Sequence, residues 1–171
     1  MTKKVSPKKP RFINPPNVLK KKVGSGGIDE KLIVKSQDFV NNADIDFIPY
    51  AENFLKEFSQ ALREAEKGSD FKSSREKIIT PIMQMKAGGG MFKYQLVSEV
   101  ADTAMQFLDA VDVENVNNET FDILRAHENT LKVIVLNKLK GNGGREGFAL
   151  IQELDKACKR YFTKYKIEKK K

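Results

Sequence analysis

The sequence predicts an all-α protein: an antiparallel helical bundle with two helix–glycine turn–helix hairpins and additional helices. Apolar residues recur at steps of three and four through successive windows, and no window alternates as a strand does. In addition, a glycine-rich segment occurs twice, 54 residues apart, so that Lys86 aligns with Lys140 and Gly89-Gly90 with Gly143-Gly144. Each copy has an apolar-periodic run, a lysine, glycines and a second such run, which is typical of a helical hairpin.

The first helices are expected to begin at short polar side chains, which accept hydrogen bonds from the free amides of a first turn. Asp29 is expected to cap a short helix, and Asp44 or Asp46 to cap the next. That second helix has the strongest helical period in the chain. Ser73 or Ser74 is expected to cap the third.

The later helices are bounded by glycines and one polar connector. The third is expected to kink at Pro81, because proline removes a backbone donor, and to stop at Gly88 to Gly90. The fourth follows, and a polar connector then leads to Asn118, which opens the fifth helix. Glycines at 141–144 are expected to break the fifth helix before the last one starts.

The positive charge of the chain lies at its ends. The formal net charge is +8, yet residues 23–163 hold 18 basic and 22 acidic side chains. We therefore expect three parts: a basic Pro/Gly-rich arm at 1–28 that is mostly disordered, a helical bundle at 29–163 and a basic tail at 164–171. The arm and tail are interpreted as solvated, with weak polyanion binding as the alternative.

Several classes of protein are excluded by composition. No apolar run approaches the ~20 residues of a membrane span, and Met1 to Arg11 contains no apolar stretch that would form a secretory signal. One cysteine, Cys158, excludes an internal disulfide framework. We expect a cytoplasmic protein, not an enzyme, with no cofactor and no metal.

Residues 83–94 resemble the phosphoacceptor segment of histidine-containing phosphotransfer (Hpt) domains. That family of four-helix bundles serves two-component signalling, and its pattern is His, two residues, Lys-Gly, small residues and an aromatic. Here Met83 stands at the His position, Lys86 is kept, and Ala87 replaces the Gly. The segments 14–20 and 125–144 also look like those of a bacterial Hpt-like subgroup.

The resemblance implies a degenerate domain whose docking surface remains. In the family the His takes the phosphoryl group, and the Lys one turn later neutralises it. A thioether at Met83 has no nitrogen to phosphorylate, and Asn137 stands at the matching position of the second copy. A pseudo-Hpt module would bind a response-regulator receiver domain or a histidine kinase. The expected docking residues are Met83, Gln84, Lys86, Ala87, Gly88, Met91, Lys93 and Tyr94.

The single histidine gives an alternative. His127 and Glu128 loosely resemble the phosphorylation box of dimeric histidine kinases, so His127 is the alternative phosphoacceptor. A zinc-protease helix is excluded because Leu131 stands where the second zinc ligand belongs. We interpret His127 as a structural or solvent-exposed helix residue. A plain scaffold bundle, or a polyanion binder that acts through its tails, also remains open.

Overall fold

The computed structural model describes residues 22, 27, 29–42, 46–68 and 70–167. Residues 1–39 and 40–171 form separate units. The described part contains six α-helices and no strand, which confirms the all-α prediction. They are α1 (Glu30–Asn42), α2 (Ile48–Glu66), α3 (Phe71–Met91), α4 (Gln95–Ala110), α5 (Asn118–Leu136) and α6 (Gly144–Tyr165), with a 3₁₀ turn at Val113–Asn115. Most of the predicted disordered arm and the last four residues lie outside the described residues.

Helix α1 is amphipathic but exposed on its apolar side. Asp29 Oδ1 accepts a hydrogen bond from the Lys31 amide at 3.0 Å, which confirms the predicted cap. Leu32, Ile33 and Phe39 are all exposed, and Phe39 is 74% accessible.

Helices α2 to α5 form a closed ring of four. Each packs on the next in sequence, and α2 also packs on α5, while α6 packs on α4 and α5. Short connections between successive helices make neighbours antiparallel. The apolar faces that gave the helical period form the core, whose largest fully buried side chains are Phe58, Phe107, Leu62, Ile78, Ile82, Met85, Leu108, Leu124, Leu131 and Ile134.

The helix N-termini follow the predicted chemistry, with one shift in position at α3. Asp46 Oδ1 accepts from the Ile48 amide at 3.0 Å, whereas Asp44 lies outside the described residues. Helix α3 is capped by Asp70, whose carboxylate accepts from the Lys72 amide. The prediction that Ser73 or Ser74 caps this helix was therefore wrong: Asp70 takes that role, and Ser74 is buried.

Asn117 caps α5, so the helix begins at Asn118 as predicted. Its side chain accepts from the Thr120 amide at 3.3 Å. The Thr120 hydroxyl accepts in return from the Asn117 amide at 3.1 Å, which completes a capping box.

The sequence predicted that α3 stops at Gly88 to Gly90, and this prediction was wrong. The helix continues through Gly88–Gly90 to Met91. A Cβ atom on Gly89 would lie 2.9 Å from the Ser98 amide nitrogen and 3.0 Å from the Tyr94 carbonyl oxygen. Gly89 therefore serves the close approach of α3 to the start of α4, where a side chain has no room.

The structure contains the two predicted hairpins, α3 with α4 and α5 with α6, but the two glycine segments do not occupy equivalent positions in them. Gly89 lies inside a helix, whereas Gly143 precedes α6 in the left-handed region at φ 69°. Lys86 lies on α3 and its counterpart Lys140 lies in a connection. The likeness of the two segments is one of composition, because their residues occupy different positions in the two hairpins.

Three helices end at a lysine in the left-handed conformation. Lys93, Lys138 and Lys166 have φ values of 66°, 51° and 53°. After the first two, Tyr94 N donates to Gly89 O at 2.8 Å and Leu139 N donates to Ile134 O at 3.0 Å. These are the 6→1 hydrogen bonds of the Schellman motif, which satisfies free carbonyl groups at a helix C-terminus. Helix α5 therefore ends at Leu136, before the predicted glycine break.

The α3–α4 and α5–α6 connections are bonded to each other. Gly141 N donates to Lys93 O at 2.7 Å, and Leu96 N donates to Gly141 O at 2.9 Å. The two turns therefore lie side by side at one end of the bundle.

Candidate functional site

An exposed stripe of apolar residues runs along α3. Met83, Ala87 and Met91 follow one another at steps of four, so they share a helix face. All three are exposed, Met83 by 48% and Met91 by 57%, and Gln84 is exposed beside them. We call Met83, Gln84, Ala87 and Met91 the α3 stripe. These four predicted docking residues are brought together on one accessible surface.

Lys86 is partly exposed and is paired with a carboxylate on the neighbouring helix. Its Nζ donates to Asp102 Oδ1 on α4 at 2.6 Å, and the other oxygen of that carboxylate accepts from Gln106 at 2.9 Å. The Lys86 carbonyl also accepts from the Ser98 hydroxyl at 2.8 Å. The predicted docking cation is therefore already paired, and a partner carboxylate would compete with Asp102 for it.

The other predicted docking residues lie apart from the stripe. Gly88 is partly covered by the Phe47 ring, and Tyr94 is only 4% exposed. The Tyr94 ring packs against Phe47 with centroids 5.5 Å apart, and its burial raises the pKa of the phenol. Tyr94 is thus a core residue in this conformation, whereas Lys93 is exposed on the turn.

His127 is fully buried on α5, with 0% of its surface exposed. Nδ1 lies 2.8 Å from the Ile123 carbonyl oxygen, so Nδ1 carries the proton and donates it. Nε2 has no hydrogen-bond partner among the described residues. The structure therefore supports the interpretation of His127 as a structural residue. In the alternative phosphoacceptor role the imidazole would have to be accessible to a partner, and here it is buried.

Burial of His127 predicts a pH-dependent stability. Desolvation lowers the pKa of the imidazole below its ordinary value of 6.5, so the unfolded chain binds more protons than the folded chain below that pH. The free energy of unfolding should therefore fall as pH drops below 6.5, by at most ~1.4 kcal/mol per pH unit.

Urea titrations between pH 8 and pH 5 measure this slope. His127→Leu should flatten it, because no other histidine is present in the chain. An unchanged slope in the variant would contradict the assignment.

A groove between α2 and α5 was not predicted. Its volume is about 430 Å³, and its lining residues are Glu52, Leu55, Lys56, Ser59, Gln60, Arg63, Glu128, Lys132, Val135 and Leu136. The Ser59 hydroxyl donates to the Glu128 carboxylate across it. These two residues are 69 positions apart, and no local sequence pattern signals such a pairing.

The cations of α6 are mostly neutralised. Lys156, Lys159, Arg160 and Lys164 line one face of the helix. Three of them pair with carboxylates, since Lys156 contacts Glu153, Lys159 contacts Asp155 and Lys164 contacts Glu119. Of the predicted basic tail at 164–171 the structure describes residues 164–167, in which Lys164 is paired with Glu119.

Comparison with known proteins identifies no relative. No family model matches the chain, and neither a curated protein nor a solved structure matches it. Among the residues that the structure describes, no group of three His, Cys, Asp or Glu side chains forms a metal site. Within the same residues, none of the helices has the length and apolar character needed to cross a membrane. The class that the fold defines is an all-α helical bundle.

Proposed function

We propose that this protein is a non-catalytic interaction module of bacterial two-component signalling, which binds a receiver domain through the α3 stripe without accepting phosphate. The exposed line of Met83, Ala87 and Met91 is the observation that carries the proposal. Methionine side chains are flexible and polarizable, and they adapt to the shape of a partner. An apolar stripe on an exposed helix is typical of an interaction site.

The chemistry of the stripe supports binding without transfer. Met83 occupies the position that the resemblance gives to the phosphoacceptor, and its thioether sulfur forms no phosphoramidate. Ala87 adds only a methyl group, so a partner loop has room to approach one turn later. His127, the alternative acceptor, is buried on a different helix.

The ring of α2 to α5 agrees with the four-helix architecture that the Hpt resemblance implies. A histidine kinase is the other partner implied by that resemblance. The receiver domain is the more direct test, because its contact with Hpt domains centres on the segment that Met83 to Tyr94 resembles.

Met83→Glu is expected to weaken receiver binding about tenfold or more, because it places a charge at the centre of an apolar contact. Titration calorimetry with receiver domains from the same cell measures the affinity. Val133→Glu is the matched control, since Val133 is 56% exposed on α5 and lies outside the stripe. Equal affinities of Met83→Glu and the wild type would contradict the proposed surface.

A phosphodonor in the same tube tests the alternatives. The proposal expects binding without label on this protein. Label that disappears in a His127→Ala variant would replace the proposal with a working phosphotransfer protein. Binding that is lost with residues 1–22 and falls steeply with salt would instead favour the polyanion binder.

A further inference from the structure

The α3–α4 and α5–α6 connections, which are hydrogen-bonded to each other, form a second exposed surface that is distinct from the α3 stripe. We call it the turn surface and define it by Lys93, Lys138, Leu139, Lys140, Arg145 and Phe148. The backbone bonds between Lys93 and Gly141 bring the two connections together. Phe148 is 62% exposed and Leu139 43% exposed, so two large apolar side chains face solvent here.

Four cations lie on the same two connections and on the first turn of α6. In the part of the chain that the structure describes, no ion pair involves Lys93, Lys138, Lys140 or Arg145. Lys140 Nζ lies 5.9 Å from the centre of the Tyr94 ring, which holds it beside the α3–α4 turn. Glu146 is the one carboxylate within residues 138–148. The turn surface is thus basic on a bundle in which acidic residues outnumber basic ones.

Two of these lysines occupy positions that favour glycine. Lys93 and Lys138 both have φ above 50°, where a Cβ atom costs conformational energy. After α2, the residue with a positive φ is a glycine, Gly68 at φ 92°. Glycine would therefore close α3 and α5 with less strain, and the ammonium groups are the feature that a glycine would lack. Strained residues of this kind are concentrated at functional sites.

We propose that the turn surface binds an acidic protein segment that carries an aromatic or aliphatic side chain. The cations would pair with carboxylates at the rim, and Phe148 and Leu139 would contact the apolar side chain. Charge complementarity of this kind steers association and sets specificity. A long nucleic acid fits less well, because residues 23–163 hold 22 acidic against 18 basic side chains and would repel phosphates beyond the turns.

Amide chemical-shift mapping of the isotope-labelled full chain tests the proposal. The probe is a synthetic peptide rich in Asp and Glu that contains one Phe and one Leu. We expect shifts at Lys93 and residues 138–148, an affinity that falls with salt, and no change of affinity in Met83→Glu. No shifts, or equal shifts with polyglutamate or a single-stranded oligonucleotide, would overturn the proposal.

Charge reversal supplies the second measurement. The double variant Lys93→Glu, Lys140→Glu should lower the peptide affinity about tenfold. Lys72→Glu is the matched control, because Lys72 is exposed in the first turn of α3, at the opposite end of that helix. Equal losses in control and double variant would refute a localised surface.

Lys93→Gly keeps the test valid if charge reversal impairs folding. It removes one ammonium group and the left-handed strain together, so it should unfold at a higher temperature and bind the peptide about threefold more weakly. A Lys93→Gly protein that binds as tightly as the wild type would contradict a role for this lysine.

Discussion

Phe107→Ala is expected to lower the free energy of unfolding by ~3–5 kcal/mol. Phe107 is 1% exposed, and its ring lies 5.2 Å from that of Tyr161 and 5.6 Å from that of Phe162. It thereby joins α4 to α6. Truncation loses the transfer free energy of the ring and leaves a cavity that rigid neighbours fill only in part. Such a loss is a large share of the ~5–15 kcal/mol that stabilises an ordinary domain.

Urea unfolding followed by circular dichroism measures the effect of Phe107→Ala. Phe148→Ala is the matched control, because it removes the same ring from a site that is 62% exposed, and it should change stability by less than ~0.5 kcal/mol. Similar losses in the two variants would contradict the packing described for α4 and α6. Because Phe107→Ala removes the ring on which Tyr161 and Phe162 of α6 pack, early protease cleavage within α6 is a further expected result.

Helix positions were predictable because their signals are local. The three-and-four spacing of apolar residues records which face is buried, and Asp29 and Asp46 bond amides two residues away. The cap of α3 was not predicted correctly, because Asp70, which is about as good a cap as serine, lies just before Ser73 and Ser74. Nearby residues compete for one cap, and the sequence does not rank them once the preceding turn is unknown.

The prediction that α3 stops at Gly88 to Gly90 was wrong because glycine has two structural roles. It ends helices by adopting positive φ, and it allows close helix packing by lacking Cβ. Only the second use applies at Gly89, and it depends on α4, whose approach is a tertiary property. The lysines that do end α3 and α5 carry no glycine signal, so their positions were not predicted.

The sequence predicts which candidate-site residues share a face of α3. It does not predict which side chains on other helices they pair with. Steps of four place Met83, Ala87 and Met91 together, and this follows from the helix alone. The Lys86–Asp102 pair depends on the register of α3 against α4, which periodicity does not fix.

The burial of His127 could have been predicted from the sequence. The residue lies three positions after Leu124 and four before Leu131, on the apolar face of α5. This spacing excludes the solvent-exposed interpretation.

Gly89→Leu is expected to lower the free energy of unfolding by ~3 kcal/mol, because the new side chain meets backbone atoms that do not rotate away. A Cβ atom there lies 3.2 Å from Val97 Cβ in addition to the Ser98 and Tyr94 backbone atoms, so α4 has to move away from α3. That movement would strain the Tyr94–Gly89 bond that closes α3 and the Leu96–Gly141 bond that joins the two turns.

The neighbouring glycine provides the control for Gly89→Leu. A Cβ atom on Gly90 has the Ser98 hydroxyl oxygen at 3.6 Å as its nearest contact, and the residue is exposed. Gly90→Leu should therefore leave stability unchanged or raise it by up to ~1 kcal/mol, since leucine favours the helix more than glycine does. Thermal and urea unfolding of the pair separate the two uses of glycine. If both variants lost stability equally, the glycines would act through backbone conformation, and the close packing of α3 on α4 would not be their reason.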